Sequence, residues 1–187
     1  PDGLKIDVIC KRENPFDALV SQKYANLADI PDGSIIGTSS LRRQSQIQAF
    51  RPKLQIKTLR GNIHTRISKL ENEDYDGIIL AASGLIRMGF NSKISQEINS
   101  DIMLPACGQG ALGIESRVGD SKLLDLIKPL NDTNSSLCIR TERYVNKILG
   151  GGCHSPIGIF CQITENNELY LQTKVLSPNG EQEIYAF

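Results

Sequence analysis

Three times between Ser34 and Phe90 an apolar, strand-like run gives way to a segment of helical character. "SIIGT" precedes "SSLRRQSQIQAF", "LQIKTL" precedes "RGNIHTRISKLENE", and "YDGIILAA" precedes "SGLIRMGF". In the second of these helices Ile63, Ile67 and Leu70 fall on one face. Parallel strands need a long crossover, and a helix supplies it, so this alternation predicts βαβ units and a mostly parallel sheet. The expectation is an α/β domain spanning residues 16–104.

The flanks read differently. "LKIDVIC" alternates as a strand, "FDALVS" is a second short one, and "ALGIES", after "MLPACGQG", is another. "SKLLDLIKPL" is a short helix with Leu123, Leu124 and Ile127 turned inward, ended near Pro129. Residues 1–15 and 105–130 are expected to be the remnant of a further domain together with hinge segments. From Thr133 to Leu149 a longer amphipathic helix sets Leu137, Thr141, Tyr144, Val145 and Ile148 on one side, and "GGG" ends it. "IGIFCQI", "ELYLQTKVL" and "EQEIYAF" then form a meander, with Leu169, Leu171, Thr173 and Val175 on one face. Residues 131–187 are therefore expected to be a small α+β domain, one helix on an antiparallel sheet. The chain opens without Met and stops inside an apolar run, and both ends read as cuts through a larger protein.

Composition removes several functions. With 21 basic and 21 acidic side chains the net charge is zero, so any anion-binding surface must be a local cluster. Nucleic acid is disfavoured by the lack of basic excess, the 5% aromatic content and the absence of a reader motif. No apolar run approaches the roughly 18 residues of a membrane span. Five cysteines form an odd set without a CxxC pair, and two histidines give no zinc-site spacing. A reducing compartment is expected, with most thiols acting as small core residues.

Arginines stand just past the end of each strand: Arg42 and Arg43, then Arg60, then Arg87, with Arg66 further along the second helix. Arg42 and Arg43 are in the first turn of their helix, which is the wrong end for cations, because the helix N-terminus already carries partial positive charge. An anion between them would justify the arrangement. In open parallel sheets ligands bind outside the carboxyl ends of the strands, and guanidinium groups grip carboxylates or phosphates bidentately. Ser39 and Ser40 offer N-cap hydroxyls, and Gly37 and Gly61 permit close backbone approach. The pattern points to a cleft for several anionic groups. Surface arginines paired with nearby carboxylates are the plainer alternative.

Cys153 differs from the other cysteines because it follows three glycines and precedes a Ser-Pro turn, in "LGGGCHSPIG". A nucleophile, a redox thiol and an attachment point for a prosthetic group all fit such a loop. His154 is a poor partner for a Cys/His hydrolase, since adjacent residues rarely face each other. His64 reads as a helix-surface residue.

"GTSSLRRQ", "LRGNIHTR", "DGIILAASGLIR", "LPACGQGALGIE" and "GGGCHSPIG" together resemble the porphobilinogen deaminase family, in order and spacing, from about Asp2 to the end of the chain. "NPFDALVS" also resembles that family's passage out of its first domain. The resemblance implies a cytoplasmic, monomeric transferase of tetrapyrrole (haem) biosynthesis. It would condense four molecules of porphobilinogen into hydroxymethylbilane and release ammonia at each step. It implies a dipyrromethane cofactor joined by a thioether to Cys153, within a fold of two periplasmic-binding-protein-like domains and a third that carries the cysteine. Thr38, Ser39, Ser40, Arg42, Arg43, Arg66, Ala81 and Gly110 would surround the cofactor, and Arg60, Arg66 and Arg87 would hold substrate carboxylates. The family's catalytic aspartate is expected before residue 1, so no catalytic residue is assigned in this chain, and these 187 residues alone are expected to be inactive. The resemblance gives His64 and His154 no role, and Cys107 is expected to serve packing. Two other readings stay open. A periplasmic-binding-type carboxylate-binding or sensing domain without catalysis explains the arginines but not Cys153. A cysteine-dependent hydrolase explains Cys153 but not the arginines.

Overall fold

The structure is a computed structural model, and it describes residues 2–72, 75–152 and 154–187. In chain order it contains β1 (Leu4–Ile9), β2 (Asp17–Val20), β3 (Ile35–Gly37), α1 (Leu41–Phe50), β4 (Gln55–Lys57) and α2 (Ile63–Asn72). Then follow β5 (Gly77–Ala81), α3 (Ala82–Arg87), β6 (Gln96–Ile98), β7 (Gly113–Arg117), α4 (Ser121–Ile127) and α5 (Thr133–Ile148). The last strands are β8 (Ile157–Ile163), β9 (Leu169–Leu176) and β10 (Glu183–Ala186).

The expected βα repeats form a five-stranded sheet of order β4-β3-β5-β2-β6. β3 pairs in parallel with β4 and β5, whereas β2 lies between β5 and β6 and is antiparallel to both. The sheet is thus mixed: β2 enters from the opposite edge and runs against its neighbours. Its side chains alternate between two cores. Ala18 and Val20 join Ile78, Leu80, Ile67 and Leu85 on one side, and Leu19 joins Ile79, Ile36, Ile47 and Met103 on the other. Both faces are covered, which explains why β2 and β5 read as continuous apolar runs. The antiparallel direction has a second effect. Asp17, the first residue of β2, sits opposite Ala81, the last residue of β5, and so lands at the carboxyl edge of the parallel strands.

β1 and β7 form a separate antiparallel ribbon with an irregularity between Ile6 and Val8. Two chain segments link it to the five-stranded sheet, and they run side by side. Cys10 donates from its backbone to Leu112 (2.9 Å) and Glu13 to Gly110 (3.1 Å). The helix expected after β7 is present as α4, but none of its residues is buried, and Leu126 is 77% exposed. Of the expected inward set, Leu124 and Ile127 are half-buried whereas Leu123 is exposed, so α4, capped by Asp120 whose carboxylate accepts from Leu123 N, covers its inward side only in part.

β8, β9 and β10 form the expected antiparallel meander. α5 packs on β8, as anticipated, but through another face. Ser136, Cys138, Ile139 and Glu142 are buried, whereas Leu137, Tyr144 and Ile148 are 47%, 68% and 67% exposed. Glu142 outranks the aliphatic positions because it has charged and backbone partners inside. A similar reversal occurs on β9, where Gln172, Lys174 and Leu176 are the buried residues rather than the Leu169–Val175 alternation. This sheet also meets the rest of the molecule. β9 touches α1, Ile159 N donates to Pro105 O (2.9 Å), and the Phe160 ring meets that of Phe16 at 5.4 Å, tilted by 57°. α5 ends where Gly150 adopts φ +64°, the left-handed conformation that closes a helix with little cost in glycine.

Candidate functional site

The turn between β3 and α1 is built from its own hydroxyls. Ser39 Oγ donates to Leu59 O (2.7 Å), Thr38 Oγ1 accepts from Ser40 N (3.2 Å), and Ser40 Oγ caps α1 by accepting from Arg43 N (3.4 Å). These contacts point Arg42 and Arg43 across the carboxyl edge of the sheet, where they meet Asp17. Arg42 grips its carboxylate at 2.7 and 3.2 Å and also donates to Leu104 O (2.7 Å) and Gln109 Oε1 (3.2 Å). Arg43 Nε reaches the same carboxylate at 2.8 Å, and its Nη1 donates to Ile79 O (3.2 Å). Gln109 Nε2 adds a fourth donor to Asp17 at 3.0 Å.

The anion that the twin arginines demand is, in the first instance, internal. Asp17 is fully buried and Arg42 only 5% exposed. Burial is the largest influence on Asp17 and acts to raise its pKa. The two arginines and the bonds from Arg42 and Gln109 more than offset it, so the carboxyl sits below its ordinary value. For Arg42 this changes the expected role: its guanidinium fork is filled by protein acceptors.

One carboxylate does not neutralise two guanidiniums. Burial lowers the pKa of Arg43 most strongly, Asp17 opposes that, and the positive charges of Arg42 and Arg66 lower it further. Arg66 is held by Nε donation to Gly61 O (2.7 Å). Arg43 and Arg66 line one cavity of about 500 Å³. Its remaining wall is largely apolar, from Ile63, Leu80, Ala81, Gly84 and Met88, with His64 at the side. No carboxylate is among the described residues that line it. The arrangement suits a flat, apolar body that carries carboxylates at its edge.

Other sequence-derived residues lie apart from this cavity. Arg87 is exposed and donates to Gly110 O (2.7 Å), which brings those two together at the second linking segment. Arg60 is exposed on the segment before α2. Cys153 lies outside the described residues. The glycines before it, Gly150 and Gly151, border a larger and more open cavity of about 800 Å³, with Cys107, Arg140, Arg143 and Lys147. Asp17 and Gln109 are residues that sequence reasoning passes over, and His64, read there as a helix-surface residue without a role, lines the cavity. Asp17 had one legible signal, an acidic residue opening an apolar strand, where aspartate is rare.

Two family descriptions match this sequence. The first, "Porphobilinogen deaminase, dipyromethane cofactor binding domain", covers residues 1–125, and the second, "Porphobilinogen deaminase, C-terminal domain", covers 136–186. The chain belongs to the porphobilinogen deaminase family. Curated porphobilinogen deaminases of Legionella pneumophila, from strains Philadelphia 1 and Lens, are each 58% identical over 184 residues. That alignment takes in 98% of this chain and 60% of each relative, so the chain spans about three fifths of their length. Among solved structures, a YaeC-family lipoprotein of Enterococcus faecalis V583 is similar at TM-score 0.45 and 14% identity, covering 80% of this chain and 68% of that one. A TRAP periplasmic solute binding protein of Pseudomonas aeruginosa PAO1, solved with L-malate, is similar at TM-score 0.43 and 11% identity, covering 79% and 53%. Neither likeness bears on what this chain binds. Among the described residues no helix is long and apolar enough to cross a membrane.

Proposed function

We propose that this chain supplies the carboxylate-holding side of a porphobilinogen deaminase cleft, in a cytoplasmic, monomeric enzyme that condenses four porphobilinogen molecules into hydroxymethylbilane and releases ammonia. The observation that carries the reading is the convergence of Arg43 and Arg66 on one apolar-walled cavity without a lining carboxylate among the described residues. Porphobilinogen is a pyrrole with acetate and propionate arms, and a cavity with two guanidiniums beside an aliphatic wall matches that division. The residues present fit a dipyrromethane, whose rings and acid arms have the same division. Joined to Cys153 by a thioether, the group would supply the primer on which pyrrole units are added.

The roles of the chain's own residues follow from their contacts. Arg43 and Arg66 bind carboxylates at the cavity wall. Arg42 acts at one remove, fixing Asp17 and through it the aim of Arg43. Thr38, Ser39 and Ser40 hold the turn that presents both arginines. Ile63, Leu80 and Ala81 exclude water from the ring faces, which strengthens every charged contact at the edge. Arg60 and Arg87 offer outer positions for further carboxylates, and the Arg87–Gly110 contact ties α3 to the second linking segment.

A hydrogen bond to a charged group contributes about 1.5–3 kcal/mol, or roughly 10- to 100-fold in affinity. Arg66→Ala and Arg43→Gln should each weaken porphobilinogen binding by about that factor, measured by calorimetry. Unchanged affinity in both removes the reading. For the covalent part, intact mass of the enzyme purified from cells should exceed the sequence mass by one dipyrromethane, mapped to Cys153. A bare Cys153 in active enzyme contradicts the attachment.

A further inference from the structure

His64 occupies the first turn of α2, is exposed, and lines the same cavity as Arg43 and Arg66. Its imidazole meets the ring of Phe90 edge-on, with centroids 4.9 Å apart and planes at 78°, so an apolar neighbour supports the ring. The charged groups that share the cavity are Arg43 from α1 and Arg66 from His64's own helix. β5 contributes Leu80 and Ala81, α3 contributes Gly84, and Met88 follows it. Further along α2, Glu71 is paired with Lys93 at 2.9 Å. Asp17, which accepts from Arg43 Nε at 2.8 Å, is not among the lining residues, and no other carboxylate among the described residues lines the cavity.

We propose that His64 is a third anion-binding group of this cleft, one that takes up a proton as a ligand with several carboxylates settles between it and the two arginines. The proposal rests on the carboxylate reading above and deepens it with a contact that responds to pH. A carboxylate within about 4–6 Å of an imidazole favours the charged ring, and a protonated ring adds a charge-assisted hydrogen bond. Linkage is reciprocal: if the ligand promotes protonation, protonation promotes binding, and affinity rises as pH falls through the histidine range. Arginine cannot provide this, since its charge does not change in that range. The ligand class is correspondingly narrow, a polycarboxylate able to touch three cations spaced around one ring-sized hollow.

Calorimetric titration of the full-length enzyme that contains this chain, with a pyrrole bearing the acetate and propionate arms but no aminomethyl group and so unable to condense, in two buffers of unlike ionisation enthalpy, counts the protons taken up on binding. The native enzyme should take up a measurable fraction of a proton near pH 7 and bind up to about tenfold more tightly at pH 5.5 than at pH 8. In His64→Asn the uptake should vanish and the affinity should become flat across that range. Equal uptake in both proteins overturns the role of His64, while the carboxylate reading survives if Arg66→Ala still binds more weakly. Absence of binding by the native enzyme overturns both. The His64 ring resonance, followed against pH with and without ligand, gives a second readout, and a midpoint that does not move upward on binding also sinks the proposal.

Discussion

Arg12 and Glu142 form a buried ion pair, Nη1 to Oε1 at 2.6 Å, that joins residues 130 positions apart. Glu142 is fully buried on α5, and its carboxylate also accepts from Gly108 N (2.7 Å) and Cys161 N (2.8 Å). Arg12 in turn donates Nε to Gln109 O (2.9 Å). One carboxylate thereby fastens both segments that lead to the β1–β7 ribbon to the C-terminal helix and sheet. The pair contributes specificity of docking, because every acceptor position of Glu142 is matched by a donor from a different part of the chain.

Removing one partner of such a pair leaves a buried charge without compensation, at a cost of about 3–5 kcal/mol. Glu142→Ala should lower stability by that amount in urea unfolding, and Glu142→Gln by less, since it keeps an acceptor for the backbone donors. A loss below about 1 kcal/mol in Glu142→Ala would show that the joint is dispensable.

Asp17 confers acid sensitivity. Its folded-state pKa is depressed, so its contribution is complete above the unfolded value, about 4, and is lost as pH falls through the lower folded value. Wild-type stability should therefore drop below pH 4 more steeply than that of Asp17→Asn, which should be the less stable protein at pH 7. Parallel stability curves for the two proteins between pH 2 and 5 contradict this.

Three thiols should be slow to react in the folded state. Burial pushes Cys161 up to about 12 and Cys107 up to about 11, and it raises Cys138 as well. Since the thiolate is the nucleophile, iodoacetamide at pH 8 should leave these three unmodified before urea is added and label them afterwards. Peptide mass mapping decides it, and rapid native labelling of Cys161 would be the contrary result.

Gly110 adopts φ +88°, and a Cβ there would stand 2.5 Å from Glu13 O and 2.9 Å from Asn14 O. Both obstacles are backbone, where relief requires moving the neighbouring linking segment. Gly110→Ala should cost at least about 1–3 kcal/mol, read as a lowered urea midpoint. A wild-type midpoint would mean that the two segments part easily.

The βα rhythm and the C-terminal meander are visible in the residues themselves, because apolar spacing of two or near 3.6 is a local property that neighbours along the chain report. So is the clustering of arginines after strands. The faces of α5 and β9 were not legible in the same way: apolar spacing picks Leu137, Tyr144 and Ile148, whereas the structure buries Cys138, Ile139 and Glu142. A charged residue takes an interior position only if a partner from elsewhere meets it, and nothing near Glu142 in the chain announces Arg12. Asp17 and Arg42, 25 residues apart, follow the same logic. Strand direction brings the carboxylate to the edge where the helix begins, and only then is the unfavourable pair of arginines compensated. Local periodicity determined which elements form; long-range desolvation and charge pairing, which depend on how those elements cross, decided which side chains were sealed inside and which were left facing the cleft.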